Sequence, residues 1–187
     1  MVRHLYPLSL VDNLTRLHAR LDAFFARVVE RHGEHMACAA GCSGCCQQSL
    51  SVFTVEMDRI LAAVDALPPA ARDRLRSRVV AALAAALPAD ETPCVLLEDD
   101  RCTVYESRPS ICRTHGAPVQ LPREVGDGRD VCPLNFTGRP LSEVPSSDVL
   151  SLDTLNETLA AVNHVALTPG RPARVDITRA LAAHLDG

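Results

Sequence analysis

The stretch Cys38-Ala-Ala-Gly-Cys42-Ser-Gly-Cys45-Cys46 sets four thiols within nine residues. Thiolates are soft ligands for zinc, Cu(I) and iron-sulfur centres, and ligands a few residues apart in a turn converge on one centre with little chain to order. Gly41 and Gly44 permit the tight backbone that such convergence needs. Free cysteine also serves as a small buried hydrophobe. Core cysteines, however, follow the period of the element that carries them, and two adjacent thiols beside a Cys-x2-Cys step serve no helix face. The cluster therefore reads as metal-binding.

Four more cysteines, Cys94, Cys102, Cys112 and Cys132, lie in a stretch rich in proline and glycine with no helical period. Cys94 and Cys102 sit in short β-prone runs around Glu98-Asp99-Asp100, which suggests a small hairpin. Arg108-Pro109 reads as the start of a short helix bearing Cys112 and Arg113, ended by Gly116 and Pro118. The dipole of that helix favours an ionised Cys112. Arg108 and Arg113 suit a place beside the thiolates, since crowded sulfur anions need positive charge and N–H donors. Tyr105 has two readings, a partly buried ring with a locally bonded hydroxyl or a place at the site. His115 is an alternate ligand. His32 and His35 read as exposed residues at a helix end, where a cationic imidazole suits the dipole.

The elements that must position these groups are helical. Apolar residues at Leu10, Leu14, Leu17, Leu21, Phe24 and Val28 form one stripe of a long first helix that frays near Gly33. Thr54 reads as the N-cap of a helix carrying Met57, Ile60, Leu61 and Val64, and Pro69 as the first residue of another carrying Leu75, Val79, Leu83 and Leu87. Together they predict an antiparallel hairpin over 54–87. The arginines at 72, 74, 76 and 78 read as a solvated face. The loop Gly126-Asp-Gly128 shows no scaffold of its own. Leu152, Leu155, Leu159 and Val162 mark a fourth helix, and Ile177, Ala180 and Leu181 a short last one capped by Asp176.

Hydrophobic residues make up 47% of the 187 and aromatics only 3%, with no tryptophan, so Leu, Val and Ala must build the core. That suits helix packed on helix. The fold class expected is mainly α: a single domain over 1–187, with an N-terminal helix in 1–35, an irregular cysteine-rich metal-binding region over 36–140 holding the helical hairpin and one small β-hairpin, and C-terminal helices in 141–187. The net charge of -4, with arginine as the only basic residue, gives no electrostatic case for nucleic acid. Neither a secretion signal nor a membrane span is visible. A cytoplasmic protein is expected, and in that compartment eight cysteines hold metal rather than disulfides.

The spacing Cys38-x3-Cys42-x2-Cys45 is the one radical S-adenosylmethionine enzymes use for three corners of a [4Fe-4S] cluster, although the helical setting does not match their barrel. Zinc commonly takes two Cys-x2-Cys pairs, and this chain has one, Cys42 and Cys45. The pattern leans toward iron-sulfur, with Zn2+ the alternative. Taken with Pro93-Cys94, with Cys102-Thr-Val-Tyr105-Glu-Ser-Arg108-Pro109-Ser-Ile-Cys112-Arg113 and with Cys132, the chain resembles the YkgJ-type cysteine-cluster family, described as zinc- or iron-chelating. The resemblance runs from Cys38 to Cys132 and departs at Asp99-Asp100, where the family tends to have Asp-Gly, the pair that would suit the tight turn of the small hairpin. It implies a metal ion or iron-sulfur cluster held by Cys38, Cys42, Cys45, Cys46, Cys94, Cys102, Cys112 and Cys132, in a redox or structural role. It also implies a link to flagellin lysine methylases, larger proteins containing this cysteine domain. The alternative function is therefore an enzyme using the cluster for electron transfer or S-adenosylmethionine-dependent protein-lysine methylation.

Overall fold

The computed structural model describes residues 8–39 and 41–186, with side chains described from residue 13 onward. The side chain of Leu10, the first member of the predicted stripe, and residues 1–7 lie outside what is described. Among the described residues, six α-helices and a set of very short strands make a mainly α protein. The chain divides into two compact units, each built from two stretches: Met1–Ala39 with Ser110–Ala166, and Ala40–Pro109 with Leu167–Gly187.

In the first unit, helix α1 (Leu8–His32) buries Leu14, Leu21, Phe24 and Val28 at the predicted spacing. It packs on the short helix α4 (Ser110–Thr114) and on α5 (Leu152–Ala166). Phe24, Val28 and Ala117 form one core cluster, with Phe25, Met36 and Leu150 against it. A three-stranded sheet completes the unit: β4 (Val119–Gln120) pairs antiparallel with β5 (Arg129–Asp130) and parallel with β6 (Leu150–Ser151). The loop around Gly126 is therefore the connection of a hairpin, tied by Leu121 N–H donating to Gly128 O at 3.0 Å and by the Gln120 amide donating to Asp127 O at 2.7 Å. No helical period could announce it, because its scaffold is two residues long.

In the second unit, β1 (Ser51–Phe53) leads directly into α2 (Thr54–Asp65), and β7 (Arg174–Asp176) leads into α6 (Ile177–Leu185); the two strands pair antiparallel, with Val52 opposite Val175. Thr54 is the first helical residue rather than the N-cap, and its hydroxyl donates to Pro172 O at 2.5 Å. Asp176 caps α6 as expected, accepting from Arg179 N–H at 2.8 Å. Helix α3 (Pro69–Ala85) starts with proline at its first position and ends on Ala86 at φ +49°. It lies chiefly along α6, while Met57, Ile60 and Val64 of α2 join Leu75, Val79, Ile177 and Leu181 in one cluster. That cluster also takes in Val95, Leu96 and Val104, so the apolar residues around Cys94 and Cys102 are part of a core.

Candidate metal centre

The cysteines of the second unit are gathered by backbone. Gly44–Cys46 forms a single 3-10 turn in which Cys46 N–H donates to Ser43 O at 2.8 Å. Cys46 O in turn accepts from Cys94 N–H at 2.8 Å, which ties the first cysteine run to the second. Cys94 O accepts from Leu97 N–H at 2.9 Å, and Leu97 pairs with Cys102 across the hairpin β2 (Leu97–Glu98) and β3 (Arg101–Cys102). The small hairpin forms as expected, and its turn is tight: Asp99 at φ +50° and Asp100 at φ +58° both adopt the left-handed conformation, which aspartate tolerates better than most residues. Ser43 Oγ donates to Asp100 Oδ1 at 2.6 Å and so pins the hairpin tip to the loop between Cys42 and Cys45. From the other side Glu98 is held by Arg74 at 2.5 Å and Arg78 at 3.1 Å, and Arg78 Nε donates to Val95 O at 2.8 Å. Two arginines expected on a solvated face thus clamp the cysteine hairpin.

Charge records the crowding of these thiols. A hydrogen bond with Cys46, then burial, then the charge of Cys46 push the Cys45 thiol far up, with Arg108 pulling the other way. Burial raises the Cys94 thiol, with Cys102 and Cys45 adding to it against backbone N–H groups of Leu96 and Leu97. Burial likewise raises Cys102, against the backbone N–H of Val104 and the charge of Arg108. Cys45 thus feels Cys46, Cys94 feels Cys102 and Cys45, and Arg108 acts on both Cys45 and Cys102. A thiophilic cation reverses that balance, since it turns repelling thiolates into ligands and takes the place of their protons. The donor set fits such an ion. Cys42 is exposed on the same loop. Among the described residues, no group of three or more His, Cys, Asp or Glu side chains is arranged to hold a metal ion.

Arg108 lies over the exposed ring of Tyr105, its guanidinium carbon 3.9 Å from the ring centroid. That contact fixes the direction of Arg108. Of the two readings of Tyr105, the partly buried ring is not the one the structure holds, since the ring is exposed.

The first unit carries Cys38, Cys112 and Cys132. Cys38 Sγ accepts from Asn135 Nδ2–H at 3.3 Å, and the same amide donates to Gly116 O at 2.7 Å while its Oδ1 accepts from Ala37 N–H at 2.7 Å. Cys112 rides on α4, which Arg113 fastens to α1 by donating to Asp22 Oδ2 at 2.7 Å. His115, half-buried beyond the helix, is held below the usual imidazole range by burial, against the charge of Asp130. His32 is buried rather than exposed. Arg139 can only donate and reaches His32 Nδ1 at 3.3 Å, so Nε2 carries the hydrogen and donates to Asp148 Oδ2 at 3.0 Å. His35 stacks on Phe136 with ring centroids 5.7 Å apart. The burial of His32 was not legible, because it follows the last residue of the apolar stripe.

A family model, CxxCxxCC, described as "Putative zinc- or iron-chelating domain", matches residues 37–133, more than half of the chain and all eight cysteines. The chain belongs to the CxxCxxCC family. No curated protein and no solved structure matches it. The CxxCxxCC stretch thus accounts for the thiols in both units, while Asn135 stands two residues beyond its end. Sequence reasoning passed over Asn135 and Ser43; their signal was position alone, three residues after Cys132 and one after Cys42.

Proposed function

We propose that the protein binds a [4Fe-4S] cluster on its cysteine domain, in a redox or structural role, with Zn2+ the competing occupant. The observation that carries this is the backbone that ties Cys46 to Cys94, and Cys94 through Leu97 to Cys102, with Cys45 beside Cys46: four sulfur donors of one kind, the number a cubane takes. The Cys-x3-Cys-x2-Cys spacing of the first run supports iron-sulfur over zinc, for which a second Cys-x2-Cys pair is usual. Cys38, Cys42, Cys112 and Cys132 are further metal ligands in this reading, and Arg108, Tyr105 and Arg113 support them. No disulfide joins any of the eight cysteines, all of which lie among the described residues, and that suits a reducing, cytoplasmic setting.

Metal and sulfide analysis tests it. Protein isolated without oxygen should contain iron and acid-labile sulfide and absorb broadly in the visible. Colourless protein with stoichiometric zinc would transfer the site to zinc, and eight freely titrating thiols with neither metal would refute metal binding altogether.

A further inference from the structure

Asn135 is buried at 3% exposure, and every hydrogen-bonding direction of its amide that the structure defines is committed. Oδ1 must be the oxygen, because it receives the backbone N–H of Ala37 at 2.7 Å. The NH2 group therefore faces Gly116 O at 2.7 Å and Cys38 Sγ at 3.3 Å, and no flip of the amide satisfies all three partners. The backbone of Asn135 is tied as well, its N–H donating to Cys132 O at 2.8 Å. One side chain thus joins the residue before Cys38, the sulfur of Cys38 and the turn that follows α4, at the end of the turn that Cys132 opens. Gly116 makes room for this: it sits at φ +99°, and a Cβ there would lie 2.5 Å from Cys38 Sγ and 3.0 Å from Asn135 Nδ2.

We infer that Asn135 is a positioning residue for a metal-binding Cys38: it aims the sulfur through the backbone of Ala37 and stabilises the thiolate by donating an N–H to it. The inference rests on the metal-binding reading above. An N–H directed at a coordinated sulfur lowers the energy of its lone pairs, which strengthens the charge-stabilised form and moves sulfur-to-metal charge transfer to higher energy. It is a different role from filling space, and the two leave different signatures.

The experiment uses the full chain with Zn2+ for affinity, by competition with a chromophoric chelator, and Co2+ for the spectrum. Asn135→Asp keeps the shape and the Ala37 bond but presents an acceptor to the sulfur. Asn135→Ala removes both bonds. Each is expected to bind zinc about 10 to 100-fold more weakly, and the cobalt charge-transfer band should move to longer wavelength in both. Far-UV circular dichroism identifies a variant that has not folded, in which case the other decides. Wild-type protein that binds zinc and cobalt, with folded variants of unchanged affinity and band position, would overturn the inference and leave the metal reading intact. Wild-type protein that binds neither metal, and holds no iron, would instead sink the metal reading.

Discussion

Replacing Gly116 by alanine attacks the Cys38 site through two separable costs. The backbone at φ +99° is open to glycine and strained for alanine, by about 1–2 kcal/mol. The added Cβ also lands 2.5 Å from Cys38 Sγ, closer than any real contact, and the sulfur must rotate away because it is the free end of a short side chain. Rotation relieves the clash but breaks the hydrogen bond from Asn135, about 1 kcal/mol more. The metal-free variant should therefore lose about 2–3 kcal/mol in urea denaturation. Gly138 supplies the control: its φ is +80° and nothing lies within 4 Å of its would-be Cβ, so Gly138→Ala pays the backbone strain alone. Zinc affinity should separate the two sharply. Gly138→Ala should bind as wild type, whereas Gly116→Ala should bind about 10 to 100-fold more weakly because its thiol points elsewhere. Equal zinc affinity in the two alanine variants would refute the argument that Gly116 exists to seat the Cys38 sulfur.

Two further outcomes follow from buried charge in the first unit. Burial pushes the Asp148 carboxyl up, but hydrogen bonds from His32 and Arg31 outweigh it and hold the carboxyl below the usual range. Its stabilisation is therefore present above about pH 4, the unfolded value, and lost as pH falls through the folded one. Asp148→Ala should cost about 3 kcal/mol at pH 7, the low end for a broken buried pair because Arg31 remains half exposed to water; this difference from wild type should shrink in denaturation curves taken below pH 4, and a constant difference would exclude the pair as its source. Arg113→Ala should cost about 2 kcal/mol by removing the charged hydrogen bond to Asp22. Asp22→Ala should give a similar loss and the double variant little more, whereas additive losses would mean that Arg113 acts through other groups.

What the sequence made legible was periodic or local. The stripe of α1, the proline start of α3 and the Asp176 cap are each written within one or two turns, and the structure carries all three. The cysteine spacing was equally local. Long-range links were not legible, because nothing in the pattern around Asn135 names a partner 97 positions earlier, and nothing around Ser43 names Asp100. The stretch from Pro88 to Pro145 was illegible for a related reason. Val95, Leu96, Val104, Ala117, Phe136 and Val144 are all buried there, but they sit on turns and bends too short to show a period. Val95, Leu96 and Val104 join the core of the second unit and Ala117 that of the first. The hairpin at Glu98-Asp99-Asp100 was legible from its β-prone flanks, and the structure carries it with aspartate at a turn position where glycine would cost less.

That turn raises the question of what the second aspartate is for. Asp100 pays about 1 kcal/mol of backbone strain at φ +58° that glycine would avoid, yet its carboxylate receives Ser43 Oγ–H at 2.6 Å. Both groups are exposed, so the bond returns no more than about 1 kcal/mol. Asp100→Gly should therefore leave overall stability within about 1 kcal/mol of wild type, the released strain offsetting the lost bond. Its effect should appear in metal binding instead, because the bond pins the hairpin of Cys102 to the loop of Cys42 and Cys45. Releasing it lets those sulfurs separate, and zinc affinity should fall about 2 to 5-fold, the equivalent of about 0.5–1 kcal/mol. Ser43→Ala removes the same bond without touching the strained backbone, so it should match Asp100→Gly in zinc affinity while falling below it in urea stability. If Ser43→Ala binds zinc as wild type does, the tether plays no part in gathering the thiols, and the aspartate owes its place in the turn to its tolerance of positive φ alone.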